Sequence, residues 1–431
     1  MLTRLRATEF ALLLFPAAYG VIGLALLALV QHGAPLDAAV LRPAWILAAG
    51  LAAAHLVLVA ANFRGDQVLL PVAATLTATG MVMVRRLDAA VADRQLNWCL
   101  LGLAVLLGTV LLLRDLSILR RYRYVWALGG LLLVAATLVF GLDTGGTGAR
   151  LWLGFAGYNF QPSELLKILL VVYLASYLSE NQEILAAGTY RLGPLRLPPL
   201  PHLAPLAVML GLSLALLAVQ HDLGAAMLLF GIYLGMLYMA SGHLSYVLAG
   251  IVPFAAGAWV AARALPYVAA RVEVWLDPWS RAAANGYQIV QALTAIAAGG
   301  VFGVGLGFGY PGYVPAVQTD YIIAAVGEEM GMAGILAVMA LYMVLVGRGF
   351  HIAVRARQGF DALLAAGLST VLALQTLIIL AGSLKVIPLT GITLPFVSYG
   401  GSSLVTNYLI IGILLRISGD QAANQQAGRA G

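Results

Sequence analysis

Long apolar runs recur along the whole chain, separated by short polar breaks. They fall at 9–30, 44–62, 68–84, 98–113, 125–142, 164–179, 204–219, 223–241, 246–264, 321–346, 361–383 and 402–416. Each approaches the ~20 residues that an α-helix needs to cross a bilayer. The runs are continuous and lack period-two alternation, which argues against a closed barrel. The pattern predicts an all-α polytopic membrane protein with about 12 transmembrane helices.

The polar breaks carry an orientation signal. With the N-terminus inside, fourteen Lys and Arg residues fall in inner segments and nine in outer ones, a bias that predicts N-in/C-in. Arg85, Arg86 and Arg94, in an outer loop, are offset by Asp88 and Asp93. The segments 143–163, 220–222, 265–320 and 384–401 then face outward. The stretch 265–320, a large extracytoplasmic loop before the tenth span, is too long for a simple connection. Within it Ile289, Val290, Leu293 and Ile296 recur at helical spacing around Gln288 and Gln291, which predicts a helix lying in the interface. The proline-rich stretch Gly193–His202 predicts an extended connector, and 419–431 a small, polar, disordered tail.

Composition narrows the class further. With 62% hydrophobic and 10% charged residues, an ordinary soluble domain is excluded. The net charge of +6 belongs to the orientation signal and does not indicate nucleic-acid binding. Cys99 is the only cysteine, so no intrachain disulfide forms. Arg4 and Arg6 precede a full-length span without a small-residue cleavage site, as in a retained first helix. No His-Glu-x-x-His, outward Ser-x-x-Lys or Gly-x-Ser-x-Gly motif is present, which removes covalent acyl chemistry.

An ionisable group costs roughly 2.5–3.5 kcal/mol or more near a bilayer centre, so the polar residues gathered at the outward face are the candidates for chemistry. Asp320 ends the long loop directly before a span. It is either a helix N-terminal acid favoured by the macrodipole, with Thr319 as cap, or a partly desolvated carboxylate facing a pocket. Glu328 and Glu329 lie about two turns further along and read as structural pairing. Gln161-Pro162-Ser163-Glu164 starts a span, with Lys167, one of two lysines in the chain, on the face of Glu164. Asp222, in the break between two spans, is the expected counter-ion of Lys167. The glycines from Gly299 to Gly312 lack a Walker lysine and predict tight re-entrant packing of backbone. The loop from Pro388 to Ser403, including Ser398, Gly400 and Ser402, suits close approach to a head group.

These motifs resemble those of the SEDS family (shape, elongation, division and sporulation), which contains the RodA and FtsW proteins. The resemblance rests on Arg150-Leu151-Trp152, on Phe160-Gln161-Pro162-Ser163-Glu164-x-x-Lys167 and on Gln220-x-Asp222-Leu223-Gly224. It rests equally on Gly286-Tyr287-Gln288, Thr319-Asp320-Tyr321, Gly327-Glu328-Glu329-x-Gly331, Pro388-Leu389-Thr390-Gly391 and Ser398-Tyr399-Gly400-Gly401-Ser402-Ser403. It covers 68–418, with the Thr390-Gly391 form nearer the RodA branch. The family core has ten spans, so 1–67 would be two additional N-terminal helices. His221 stands where proline is usual; Ile379 and Lys385 replace the usual asparagine and glycine.

The resemblance implies a peptidoglycan glycosyltransferase of the bacterial cytoplasmic (inner) membrane, polymerising lipid II at its outer face. Undecaprenyl diphosphate would leave and the 4-hydroxyl of a GlcNAc unit would attack, with Asp320 as general base, a role worth about 10²–10⁴-fold. Arg271 would bind the diphosphate, with Lys385, Trp152, Gln161, Ser398, Gly400 and Ser402 as further substrate contacts. Glu164, Lys167, Asp222, Glu328 and Glu329 would form a structural polar network. A divalent cation, Mg or Mn, near Asp320 would suit the diphosphate, and the sequence gives no ligand set for it. The implied partners are a class B penicillin-binding protein and membrane lipid, with no nucleic acid. A lipid II flippase and a non-catalytic membrane scaffold are the competing readings.

Overall fold

A computed structural model of the chain describes residues 6–32, 38–143, 150–155, 157–187, 190–192, 195–197 and 200–430. The first helices are α1 (Ala7–His32), α2 (Ala38–Ala60), α3 (Leu69–Leu87), α4 (Ala89–Leu112), α5 (Ser117–Arg121) and α6 (Arg123–Phe140). An antiparallel hairpin, β1 (Leu153–Phe155) and β2 (Tyr158–Phe160), precedes α7 (Pro162–Glu180) and α8 (Gln182–Ala187). A second hairpin, β3 (Tyr190–Leu192) and β4 (Leu195–Leu197), leads to α9 (Leu200–Val219), α10 (Leu223–Ser241) and α11 (Leu244–Ala264). Then follow α12 (Pro266–Leu276), α13 (Tyr287–Gly299), α14 (Ile322–Arg355), α15 (Gly359–Ser383) and α16 (Gly401–Ala430).

The chain divides into two compact units. The first comprises Met1–Arg114, Glu273–Arg348 and Gln375–Gly431, and the second Asp115–Val272 and Gly349–Leu374. In the first, α16 lies along α4, and α1 packs on both α2 and α3. In the second, α7 packs against α6 and α10, and α10 against α9 and α11.

Among the described residues, eleven helices are long and apolar enough to cross a membrane. The twelfth expected span, α3, is not one of them, because three threonines and two arginines dilute its apolar sequence. It lies among protein: every residue from Leu69 to Val84 is buried. Thr75, Thr77 and Thr79 each donate to a carbonyl one turn back at 2.9 Å, which leaves no hydroxyl wanting water.

The other differences have local causes. The wholly helical reading missed the two hairpins, which are too short to show a period; β1 and β2 carry Phe155, Tyr158 and Phe160, residues that favour strands. The long loop holds α12 as well as the expected α13, whose Ile289 and Val290 are buried while Leu293 and Ile296 are half-buried. Gly331, at φ 68°, kinks α14. The proline-rich connector lies partly outside the described residues; Leu195–Leu197 is strand within it, and α9 starts at Leu200. The stretch expected as a disordered tail continues α16 to Ala430, since its alanines and glutamines are good helix formers.

Candidate active site

Asp320 sits two residues ahead of α14 and is half-buried. Its backbone is held from three directions, all within the first unit. The Asp320 N–H donates to the Ala316 carbonyl at 3.1 Å, and the Ser383 hydroxyl donates to the Asp320 carbonyl at 3.3 Å. The Ser398 hydroxyl donates to the Thr319 carbonyl at 2.5 Å, and the Tyr399 N–H to the Gln318 carbonyl at 2.8 Å. The carboxylate lies beside Gly391, where an added Cβ would stand 3.9 Å from Asp320 Oδ2. A side chain there would narrow the approach to the carboxylate.

Ser398 is the junction of this arrangement. Its hydroxyl also accepts from Leu394 N at 3.0 Å, and its carbonyl accepts from Gln95 Nε2 at 3.1 Å. Gln95 Oε1 in turn accepts from Gly400 N at 3.4 Å. Ser398, Gly400 and Ser402 were expected as substrate contacts. All three are buried, Ser398 at 3% and Ser402 at 1% exposure, with the polar groups of Ser398 and Gly400 turned to the protein. Gln95 and Ser383 were missed. Each is a single uncharged polar residue at the edge of an apolar run, and nothing in the sequence shows what it faces.

Lys385 follows Ser383 by two residues and adopts φ 60°. Its ammonium reaches the Leu276 carbonyl at 3.5 Å, and its own carbonyl accepts from Trp275 Nε1 at 3.1 Å. Asp277, an exposed neighbour, is held below the ordinary carboxylate range by the Ser280 N–H and hydroxyl, with a smaller contribution from Lys385.

Glu328 and Glu329, expected as a structural pairing, both accept from protein groups. Glu329 is bound by Arg86 Nε at 3.0 Å and by Gly307 N at 3.0 Å, and Glu328 accepts from Tyr310 N at 2.8 Å. Arg86, read from the sequence only as part of an outer loop's charge balance, is thus a missed partner. The glycine-dense stretch folds back on α14 as expected: Val304 N and Gly305 N donate to the carbonyls of Glu328 and Glu329 at 2.9 and 3.0 Å. A Cβ at Gly299 or Gly303 would collide with the α14 backbone.

The second unit holds a separate polar cluster. Gln161 precedes α7, with Pro162 at the first helical position. The expected Lys167–Asp222 pair is corrected to Lys167–Glu164, at 2.6 Å between residues one turn apart on α7. Asp222 caps α10 instead, accepting from Ala225 N at 3.0 Å, and also accepts from Gln161 Nε2 and Ser163 Oγ at 3.4 Å each. Burial pushes the Asp222 carboxyl up, and the Ala225 N–H, Ser163 and Arg271 draw it partly back. Arg271 is exposed on α12, within electrostatic reach of Asp222. Trp152 is half-buried, its carbonyl accepting from Leu142 N at 2.7 Å. His221 packs against Tyr267 with ring centroids 4.4 Å apart and the planes tilted by 54°, and it adopts φ 62°, a conformation closed to proline.

No group of three or more His, Cys, Asp or Glu side chains able to hold a metal ion comes together among the described residues.

Comparison with known proteins matches residues 63–423 to the family model for FtsW, RodA and SpoVE, described as "Cell cycle protein". The chain is 40% identical over 429 residues to the peptidoglycan glycosyltransferase RodA of Mycobacterium bovis, covering 96% of this chain and 90% of that protein. It is 33% identical over 368 residues to a probable peptidoglycan glycosyltransferase FtsW of Geobacter metallireducens, covering 82% of this chain and 95% of that protein. A solved chain from work titled "Structural coordination of polymerization and crosslinking by a peptidoglycan synthase complex" superposes with a TM-score of 0.69 at 27% identity. That match covers 83% of this chain and 98% of the solved one. The crystal structure of the Thermus thermophilus rod shape determining protein RodA, at 24% identity and a TM-score of 0.58, shares the fold over 83% of this chain and 97% of that one.

Proposed function

We propose, for a chain that belongs to the FtsW, RodA and SpoVE family and is a peptidoglycan glycosyltransferase, that it polymerises lipid II with Asp320 as general base. The observation that carries this is the setting of Asp320. It is a half-buried carboxylate whose own carbonyl is held by Ser383 and whose two preceding residues are held by Ser398 and Tyr399, with Gly391 beside it.

The donor sugar is attached to undecaprenyl diphosphate. This leaving group departs as an anion, so it needs charge neutralisation more than protonation. The acceptor, a GlcNAc 4-hydroxyl, must lose its proton as the new C–O bond forms. Asp320 accepts that proton, the hydroxyl oxygen attacks the anomeric carbon, and the C–O bond to the diphosphate breaks with inversion. No covalent sugar–enzyme intermediate is needed. Arg271 is the diphosphate candidate because its planar fork suits phosphate oxygens, and Lys385 supplies a second cation. Trp152 and Gln161 remain candidates for sugar contact. Asp320 would be the carboxylate to hold any Mg or Mn ion, which would help neutralise the diphosphate, and no step is routed through it.

The apolar helices make this a multi-pass membrane protein, and the charge bias supports Asp320 at the outer face of the bacterial cytoplasmic membrane. A class B penicillin-binding protein is the partner that cross-links the glycan; the resemblance to a chain from a peptidoglycan synthase complex supports this pairing. The test is polymerisation of labelled lipid II by the purified protein with its partner. Asp320→Asn should abolish product while keeping the folded yield, and normal product from Asp320→Asn would refute the assignment.

A further inference from the structure

Helices α1 and α2 precede the family match, which begins at residue 63. We propose that α1 is a brace for the glycine turn that leads to Asp320, with Leu27 and Val30 as positioning residues for the transfer reaction. The inference rests on the reading of Asp320 as base.

One end of α1 is fixed by a buried polar network. Arg6, Glu9 and His55 are 1%, 0% and 6% exposed. Arg6 pairs with Glu9 and donates to the carbonyls of Phe63, Gly65 and Asp66 at 3.0, 3.2 and 2.9 Å. His55 Nδ1 lies 2.8 Å from Glu9 Oε1, which ties in α2. Asp66 Oδ1 accepts from Val68 N and Leu69 N at the start of α3 at 2.8 and 3.0 Å, its carboxylate pairs with Arg348 of α14, and its own N–H donates to Ser418 Oγ of α16 at 2.9 Å. The first turn of α1 is therefore joined to three helices of the family core.

The other end of α1 meets the glycine turn. Leu24 and Leu27 form a buried cluster with Ala44 and Val82, and Leu306 packs on it. A Cβ on Gly307 would come within 3.0 Å of Val30 Cγ1 and 3.6 Å of Leu27 Cδ2, so α1 rests directly on the turn. On its opposite side the turn is gripped by polar groups: Arg86 donates to the carbonyls of Gly307 and Gly309 at 3.4 and 2.8 Å, and Gly307 N donates to Glu329.

Gly305 and Gly307 sit at φ 103° and 89°, so the turn has little stiffness of its own. It holds its shape because it is clamped between α1 and the Arg86–Glu329 pair. From there the chain runs through buried Val314 and Val317 to Asp320. Loosening the α1 wall frees the turn and, through it, the approach of the carboxylate to the acceptor.

The test uses the full-length protein with its partner, measuring lipid II polymerisation and amide hydrogen exchange. Leu27→Ala with Val30→Ala should lower kcat about five- to tenfold at unchanged KM. It should also raise exchange at 303–311 without changing α3 or α16. The conservative pair Leu27→Met with Val30→Ile should restore the rate. If the double alanine variant does not fold, Leu306→Ala removes the same contact from the turn's side and is held to the same outcome. Wild-type kcat and exchange in either folded variant overturn the brace. Inactive Asp320→Asn beside a fully active brace variant rejects the brace alone. Active Asp320→Asn rejects the base, and loop exchange then decides the brace by itself.

Discussion

The hydroxyl of Ser398 donates to Thr319 and accepts from Leu394, so one buried side chain stitches the loop before Asp320 to the loop before α16. Removing it leaves a carbonyl and an N–H without partners, at about 1–3 kcal/mol for each buried group. Ser398→Ala should therefore lower the thermal midpoint and reduce kcat about tenfold, with KM for lipid II little changed; steady-state kinetics on the folded variant check this. The sequence placed Ser398, Gly400 and Ser402 at a substrate surface because small polar residues at a span boundary suit such a surface. Ser398 and Gly400 are bonded by Gln95, 303 residues away from Ser398, and no local pattern carries that information. Asp320 was legible, since an acid directly before a span stands out. Asp222 offers a pH test. Its carboxyl is raised by burial, so the folded state binds a proton more tightly than the unfolded chain. Stability should rise as pH falls through the raised value toward the ordinary carboxylate range, and the penalty of the ionised form is fully present above it. Asp222→Asn retains a capping oxygen and should flatten that dependence, as thermal unfolding across pH would show.

At the scale of elements, α7 carries the Lys167–Glu164 pair, with side-chain exposures of 2% and 12%. Breaking a buried pair from one side leaves an uncompensated charge, at about 3–5 kcal/mol. Lys167→Met should destabilise the protein by that order, and adding Glu164→Gln should recover most of the loss. A double-mutant cycle in denaturant or heat measures the coupling. The pair was misassigned in the sequence because i,i+3 spacing and a nearby loop acid are both plausible counter-ions; Asp222 is already engaged in capping α10. Among the described residues, eleven helices are legible as spans by length and apolarity. Helix α3, expected as a span, is the least apolar of the twelve and is buried among protein from Leu69 to Val84, so its threonines need not face lipid. The hairpins and the Gly331 kink were unreadable because strands of three residues and a single glycine leave no periodic trace.

For the whole molecule, family membership and the multi-pass character were written in the motifs and the apolar runs, and both are shown. The contribution of the N-terminal pair was not, because it depends on Arg6 meeting the carbonyls of residues 63–66 and on Leu27 and Val30 meeting a distant turn. The central claim is that a single carboxylate at the head of α14 deprotonates the acceptor sugar. Glycan chain length from labelled lipid II, compared for wild type and Asp320→Asn at equal folded concentration, tests it most directly. The account predicts polymer from wild type and a rate lower by about 10²–10⁴-fold in the variant. Polymer from Asp320→Asn at the wild-type rate, or a wild type that moves lipid II between leaflets without joining sugars, would contradict it.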